Sequence, residues 1–382
     1  MQSILSSRHK IITTAHGKIR TPFFMPDATQ GAIKLIESKK IKAIAVPAMV
    51  VNTLHLYLQP GLNIIKKAGG IHKFMNWSGP LLSDSGGYQV FSLIYKSHGK
   101  LGKIHNDKVE FKSPIDGSRH ELTPEKSIQI QFALGADMMV CLDDVRPNDT
   151  DRSEAEAVIE RTIQWAKRGK KEFERQMNTS PRPSPSKGER VIRPLLFGVV
   201  QGGVFPDLRK YCAEELVKIG FDGLGFGARP IDEQGEFLTE VLQATTQAIP
   251  ENYLRFALGV GTPEDIVRFA RLGWDMFDCV IPTREGRHGR LYKFQNPNDK
   301  CQIKSKIQNQ NSKNFYSIDN VCNAQFAKDF SPINADSKIP ELREYSKAYL
   351  HHLFKVGEPL GQRLASLNNL EFYAELIKSM VK

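Results

Sequence analysis

The sequence predicts an α/β fold: a (β/α)8 TIM barrel carrying a helical C-terminal appendage. Three observations predict it. The chain has 382 residues, the size of one large barrel plus an appendage. Eight short apolar runs, most of them ending in a polar or glycine-rich cluster, alternate with helix-like stretches, as buried parallel strands do. Polar residues fit for chemistry follow nearly every run, and barrel enzymes place their sites at the C-terminal ends of their strands. An open doubly wound sheet is the alternative, and the count of eight favours the barrel.

In order, the strand-like runs are Arg20–Pro26, Ile44–Ala48, Pro80–Ser83, Ala136–Leu142, Pro194–Val200, Phe221–Phe226, Arg255–Val260 and Met276–Ile281. Helix-like stretches between them are Pro124–Leu134, Ser153–Phe173, Asp207–Ile219, Glu233–Ala248 and Pro263–Leu272. Two segments fall outside this rhythm. Asn178 to Arg190 carries Pro181, Pro183 and Pro185 among Ser, Lys and Gly, and is expected as an exposed, mobile insertion. Lys300 to Lys313 is rich in Gln, Asn and Lys and is expected as a surface excursion. The tail is helical again over Glu341–Val356 and Pro359–Val381. Residues 1–290 are therefore expected as the barrel, and 291–382 as a basic, mainly helical subdomain.

Hydrophobic residues make up 40% of the chain and charged residues 25%, enough to bury a full core and too apolar for general disorder. No apolar run approaches the roughly 18 residues of a membrane span. The first residues, Met1 to Lys10, lack an apolar signal core, so the expected location is the cytoplasm. Cysteines at 141, 212, 279, 301 and 322 form no C-x-x-C pair, which argues against a disulfide framework and a zinc ribbon. Lys and Arg number 53 against 42 Asp and Glu, a net charge of +11. From Arg284 onward there are 16 basic and 10 acidic residues. Such a surface attracts polyanions, and nucleic acid is the commonest of these in a cytoplasm.

Four clusters carry the candidate chemistry. Asp84-Ser85-Gly86-Gly87-Tyr88-Gln89 follows the third run and presents a carboxylate on a glycine turn beside a ring suited to stacking. Asp143 and Asp144 end the fourth run, where an acid at the barrel mouth can accept hydrogen bonds from a purine. Gln201, before Gly202-Gly203, offers a donor and an acceptor, which suits a nucleobase edge. Asp278 lies inside the apolar eighth run, where a catalytic carboxylate explains it better than a structural one. Arg284, Arg287 and Arg290 follow, a phosphate-binding composition. Cys279 has no histidine beside it in sequence and is expected as a buried thiol. Paired acids at a barrel mouth also suit a glycosidase, which shares an oxocarbenium-like centre at a sugar C1; the Gln, Tyr and basic loop favour a nucleoside.

Taken together and in this order, the four motifs resemble the tRNA-guanine transglycosylases, also called queuine tRNA-ribosyltransferases, of the bacterial type. The likeness runs from Thr21-Pro22-Phe23-Phe24-Met25-Pro26 through Asn52-Thr53-Leu54-His55-Leu56 to Tyr349-Leu350-His351-His352-Leu353. It implies exchange of a guanine in a tRNA anticodon for a 7-deazaguanine, here 7-aminomethyl-7-deazaguanine. It implies Asp278 as nucleophile on C1′ of the flipped guanosine, and Asp84 as general acid and base. Asp143, Gln201 and the backbone of Ala228 and Arg229 would read the base, with Tyr88 and Leu258 on its faces. Asn52 and Ser85 would hold the catalytic carboxylates, and Arg284 and Arg287 would grip neighbouring nucleotides. A homodimer in the cytoplasm is implied as well.

The chain departs from the family in three places. Family zinc ligands are replaced by Ser337, Ile339, Leu342 and Asn368, so no metal is expected as a cofactor. Ile339 and Leu342, three apart, are expected to pack inward with Leu350, Leu353 or Leu364. The base-reading loop is Gly227-Ala228-Arg229-Pro230-Ile231-Asp232-Glu233, in which Pro230 has no N–H to offer. Val145 stands where bacterial members often carry Cys, and Ile231 where they carry Val. Two rival readings are a non-catalytic tRNA-binding subunit and a relative acting on DNA. Retention of both Asp84 and Asp278 speaks against the first.

Overall fold

The computed structural model describes residues 10–146, 150–179, 192–228, 230–231, 236–295 and 315–381. Eight parallel strands form one sheet: β1 (Phe23–Pro26), β2 (Met49–Val51), β3 (Leu81–Ser83), β4 (Met138–Val140), β5 (Leu195–Val200), β6 (Gly223–Phe226), β7 (Leu254–Ala257) and β8 (Met276–Cys279). Strands adjacent in this order pair, and β8 returns to β1 with Asp278 opposite Met25. The remaining seam, β1 to β2, closes through a bridge between Asp27 and Val50 and an Ala28 N–H on the Val50 carbonyl at 2.7 Å. The sheet is a barrel, as the count of eight runs predicts.

Side chains alternate across a strand, and the inward set is apolar. Phe23, Met25, Val50, Leu82, Met138, Val140, Phe197, Val199, Leu254, Phe256 and Met276 form one buried cluster. The outward set, including Phe24, Met139, Leu196, Leu224 and Phe277, packs under the helices. Carried one step past the inward residues, the alternation reaches Asp27, Asn52, Asp84, Gln201, Gly227, Leu258 and Asp278. The polar layer of the mouth is thus the continuation of the barrel's own packing pattern.

A hairpin, Ile11–Thr14 and Gly17–Arg20, covers the opposite end, with Ile12 and Ile19 in the inner cluster. At its turn His16 stacks on His72 with ring centroids 3.5 Å apart. Both rings meet buried Asp137: His16 Nδ1 is 2.8 Å from Oδ1, and His72 Nε2 is 3.2 Å from Oδ2. The Leu81 N–H also donates to Oδ2 at 2.9 Å. Burial pushes this carboxyl up, but the two histidines and the N–H outweigh it and hold it below the usual carboxylate range.

Several elements differ from the sequence expectation for identifiable reasons. The second strand is Met49–Val51 rather than Ile44–Ala48, because Pro47 lacks an N–H and Ala45 is left-handed at φ 62°. Helix Arg152–Thr179 outruns its expected end at Phe173, since no proline occurs before Pro181. It takes in Asn178, the expected start of the insertion; residues 180–190 of that segment, and 300–313, lie outside the described residues. Helix Thr239–Ala248 starts later than Glu233, a residue also outside them. The tail helix expected over Glu341–Val356 breaks into Pro340–Glu344 and Lys347–Lys355, because Ser346 caps the second by accepting from the Tyr349 N–H at 3.1 Å.

Helix Pro359–Val381 matches its expected bounds and lies on the barrel wall. Tyr373 donates its hydroxyl to the Gly261 carbonyl at 2.6 Å. Asn369 donates to the carbonyls of Pro282 at 2.9 Å and Arg290 at 2.8 Å. Gly286 permits this approach: a Cβ there would stand 2.7 Å from the Ser366 backbone.

Ser337, Ile339, Leu342 and Asn368, expected in place of zinc ligands, do not fit the metal, since none carries a thiolate or imidazole. They are held by other means. Ser337 donates to Glu371 Oε2 at 2.5 Å, and Asn368 accepts from Asn334 at 3.2 Å while donating to the Tyr292 carbonyl at 3.0 Å. Ile339 and Leu342 are buried in one apolar cluster with Leu350, Leu353 and Leu364. At about 1.5–3 kcal/mol per buried aliphatic side chain, this pair contributes substantially to holding the segment.

Candidate active site

Asp84 follows β3 and meets the first turn of the helix Thr53–Leu58. The Thr53 N–H donates to its Oδ1 at 2.8 Å and the Gly86 N–H at 3.2 Å. Asn52 and Gln89 donate to Oδ2, Gln89 at 3.0 Å. Burial pushes the carboxyl up, these four donors pull it back, and it settles at about 6. A group there is mostly ionised at neutral pH and still able to take a proton, as a general acid and base must be.

Among the described residues Asp278 has one protein donor, the Gly259 N–H at 2.8 Å on Oδ1. Burial raises its carboxyl, the Gly259 N–H opposes this, and the charge of Asp84 raises it further. Little protein hydrogen bonding competes for the lone pairs of this carboxylate, which suits attack on an electrophile.

Asp143 faces Gln201, whose Nε2 donates to Oδ2 at 2.7 Å. Burial drives its carboxyl up to about 7. Gly227 is required beside this pair, because a Cβ there would lie 2.4 Å from Gln201 Nε2. Ala228 follows in the left-handed region at φ 69°, which turns its backbone sharply after β6. Arg229 lies outside the described residues. The result is a wall of one carboxylate, one amide and one turned backbone, able to answer the donors and acceptors of a purine edge.

Tyr88, exposed by 63%, stands on the helix Gly87–Lys96, and Leu258 is half-buried after β7. Asn52 serves Asp84, as the resemblance implies. Ser85 does not: its hydroxyl hydrogen-bonds Asp143, because the residue after Asp84 turns away from the catalytic carboxylates. Asp144, the next residue, is bound instead by Arg161 and Arg146. Arg284 is exposed beside Glu285, Nε to Oε1 3.4 Å. Arg287, on the same helix Ile281–Arg287, is half-buried, and burial and the Arg284 charge lower its pKa. Cys279 is a buried thiol, which burial raises far above its ordinary range.

Sequence reasoning missed four contributors. Thr53 and Gln89 hold Asp84, and only their nearness to named residues hints at it. Arg209 is fully buried and ties three carbonyls of the mouth: Val200 at 2.8 Å, Gly203 at 3.0 Å and Gly227 at 2.9 Å. It stands over the Phe226 ring at 4.3 Å, and burial lowers it to about 10. An arginine on the amphipathic helix Pro206–Ile219 gives no sign of this in sequence. Asp27, directly after the first strand, is the fourth.

Comparison with known proteins shows the family. The family profile described as "Queuine tRNA-ribosyltransferase" matches residues 5–382. A protein of that name from Thermoanaerobacter pseudethanolicus is 41% identical over 373 residues, 98% of this chain and 88% of its own. One from Caldanaerobacter subterraneus subsp. tengcongensis is 41% identical over 374 residues, 98% and 89% of the two chains. Another, from Aliivibrio fischeri, is 38% identical over 366 residues, 96% and 87%. By the profile match over nearly the whole chain and by these identities, the chain, an eight-stranded barrel with paired carboxylates at its mouth, belongs to the queuine tRNA-ribosyltransferase family.

Proposed function

We propose that this protein is a tRNA-guanine transglycosylase of queuosine biosynthesis that works through a covalent Asp278–ribose intermediate. The observation that carries this is the contrast between Asp278, with one protein donor, and Asp84, with four, at one barrel mouth. An Asp278 oxygen attacks C1′ of the flipped guanosine as the bond to the base nitrogen breaks. Asp84 gives the departing guanine its proton. Asp84 then takes the corresponding proton from the incoming 7-deazaguanine, whose nitrogen displaces Asp278 from C1′. Asp143, Gln201 and the backbone at Ala228 and Arg229 read the base, and Tyr88 and Leu258 bracket its ring. Arg284 and Arg287 hold neighbouring phosphates or nucleotides. The incoming base is 7-aminomethyl-7-deazaguanine, and the working form is a homodimer. The protein takes no structural zinc.

Incubation with labelled guanine and either unmodified tRNA or DNA tests the reading. Retained label on tRNA alone supports it, and label on DNA alone replaces it with the DNA-acting alternative. Mass spectrometry of tRNA nucleosides after supplying candidate deazaguanines identifies the base.

A further inference from the structure

Beside Asp84, Asp143 and Asp278, Asp27 is a further carboxylate at the mouth, and nothing in the mechanism above uses it. Its place is set by backbone geometry. Phe23 and Met25 point into the barrel, and the bridge from Asp27 to Val50 keeps the strand pairing in register, so Asp27 points inward as well. Across the other seam Met25 lies opposite Asp278 and Pro26 opposite Cys279. Asp27 therefore stands one layer above its own apolar neighbours, beside the nucleophile's strand.

No protein group among the described residues donates a hydrogen bond to this carboxyl. The titratable groups facing it are Asp278 and Cys279 on β8 and Asp84 after β3; β2 brings only the neutral Asn52 and Thr53. Arg284, beyond β8, acts on Cys279. The three carboxylates do not converge within 4.8 Å of one another, so they do not form a shared cation cage. Carboxylates crowded at one half-buried mouth, with no cationic side chain among the described residues between them, cannot all stay ionised. The proton settles on the carboxyl with the fewest donors. Asp84 has four, Asp278 one and Asp27 none.

We propose that Asp27 is a positioning residue that stays protonated at neutral pH and keeps Asp278 oriented for attack as the neutral partner of that nucleophile. Burial and the like charges of Asp278 and Asp84 support this by pushing the Asp27 carboxyl well above the usual range. Once Asp27 ionises, repulsion turns Asp278 away from the sugar. The inference rests on the functional reading above.

The test is the pH profile of kcat/KM for guanine exchange into tRNA, measured for the wild type, Asp27→Asn and Asp27→Val. Wild-type activity should fall about tenfold per pH unit on the alkaline side as Asp27 ionises. Asp27→Asn, still neutral and still a donor, should keep most of the neutral-pH rate and lose Asp27's share of that fall, leaving only the part set by Asp84. Asp27→Val should lose rate at neutral pH and lose the same share of the fall. Profiles that superimpose after scaling would overturn the proposal, because a merely structural residue changes the rate and leaves the shape. Infrared titration of the wild type against Asp27→Asn gives a readout independent of turnover. A protonated-carboxyl band at neutral pH that the variant lacks supports the proposal, and its absence from the wild type refutes it. If the wild type exchanges no guanine at any pH, the functional reading fails, while the band still decides the state of Asp27.

Discussion

At the closed end of the barrel, Asp137 is surrounded by His16, His72 and the Leu81 N–H and is held below its ordinary range. At the open end Asp27, Asp84, Asp143 and Asp278 are also withdrawn from water, yet all are pushed up. Burial acts in the same direction on all five. Partners decide the outcome: two imidazoles and an N–H stabilise the anion at one end, and amides with like charges at the other do not offset burial. Two imidazoles and an N–H fasten Asp137 beneath a hairpin, whereas Asp278, with one donor among the described residues, is left available to a substrate.

The sharpest way to break this contrast is at Asp278, the proposed nucleophile. Asp278→Asn should abolish the protein–RNA adduct on a denaturing gel, and Asp84→Asn should slow exchange by about 10²–10⁴ while tRNA affinity holds. An adduct persisting in Asp278→Asn would remove that residue from the role. Next comes Asp143. Its folded value of about 7 lies above the unfolded value, so its ionisation costs stability as pH rises from about 4 to about 7. Asp143→Asn should therefore be the more stable protein at pH 8, by on the order of 4 kcal/mol, and show no such advantage at pH 4. Guanine binding should weaken in the same variant, which denaturation curves and calorimetry would reveal together.

The closed end should behave in the opposite sense. Asp137 is lowered, so its contribution is present above about pH 4 and is lost as pH falls through the folded value. Asp137→Asn should cost about 1.5–3 kcal/mol in urea at neutral pH and leave kcat nearly unchanged. A large kcat effect with intact stability would erase the distinction between the ends. Smaller again is the effect of Arg284→Ala or Arg287→Ala, each flattening the salt dependence of tRNA binding by about one unit of slope for every phosphate the missing guanidinium no longer neutralises. Last is an expected null: a chelator should leave Tm where it was, and elemental analysis should find no stoichiometric zinc. About one zinc per chain would mean that ligands other than Ser337, Ile339, Leu342 and Asn368 hold it.

The barrel and most of its mouth were legible in sequence because a buried strand and its reactive end leave local marks. Asp278 interrupts Met276-Phe277 and Cys279-Val280-Ile281, and Asp84 stands on a glycine turn. Legibility failed where a role depends on long-range geometry. Arg209 looks like any helix arginine until three carbonyls from two different loops converge on it. Ser85 adjoins Asp84 in sequence, but a one-residue step changes face, so it serves Asp143 instead. Asp27 carries no local oddity; only the seam between β1 and β8 gives it neighbours of its own charge.

That seam joins residue 25 to residue 278, and the helix laid over the nearby wall ends at Val381. The strand that bears Asp278 therefore takes its partner from a segment far earlier in the chain and its support from one far later. No local stretch can assemble this corner of the mouth by itself, so a change confined to the helix Pro359–Val381 should reach Asp278 without touching it.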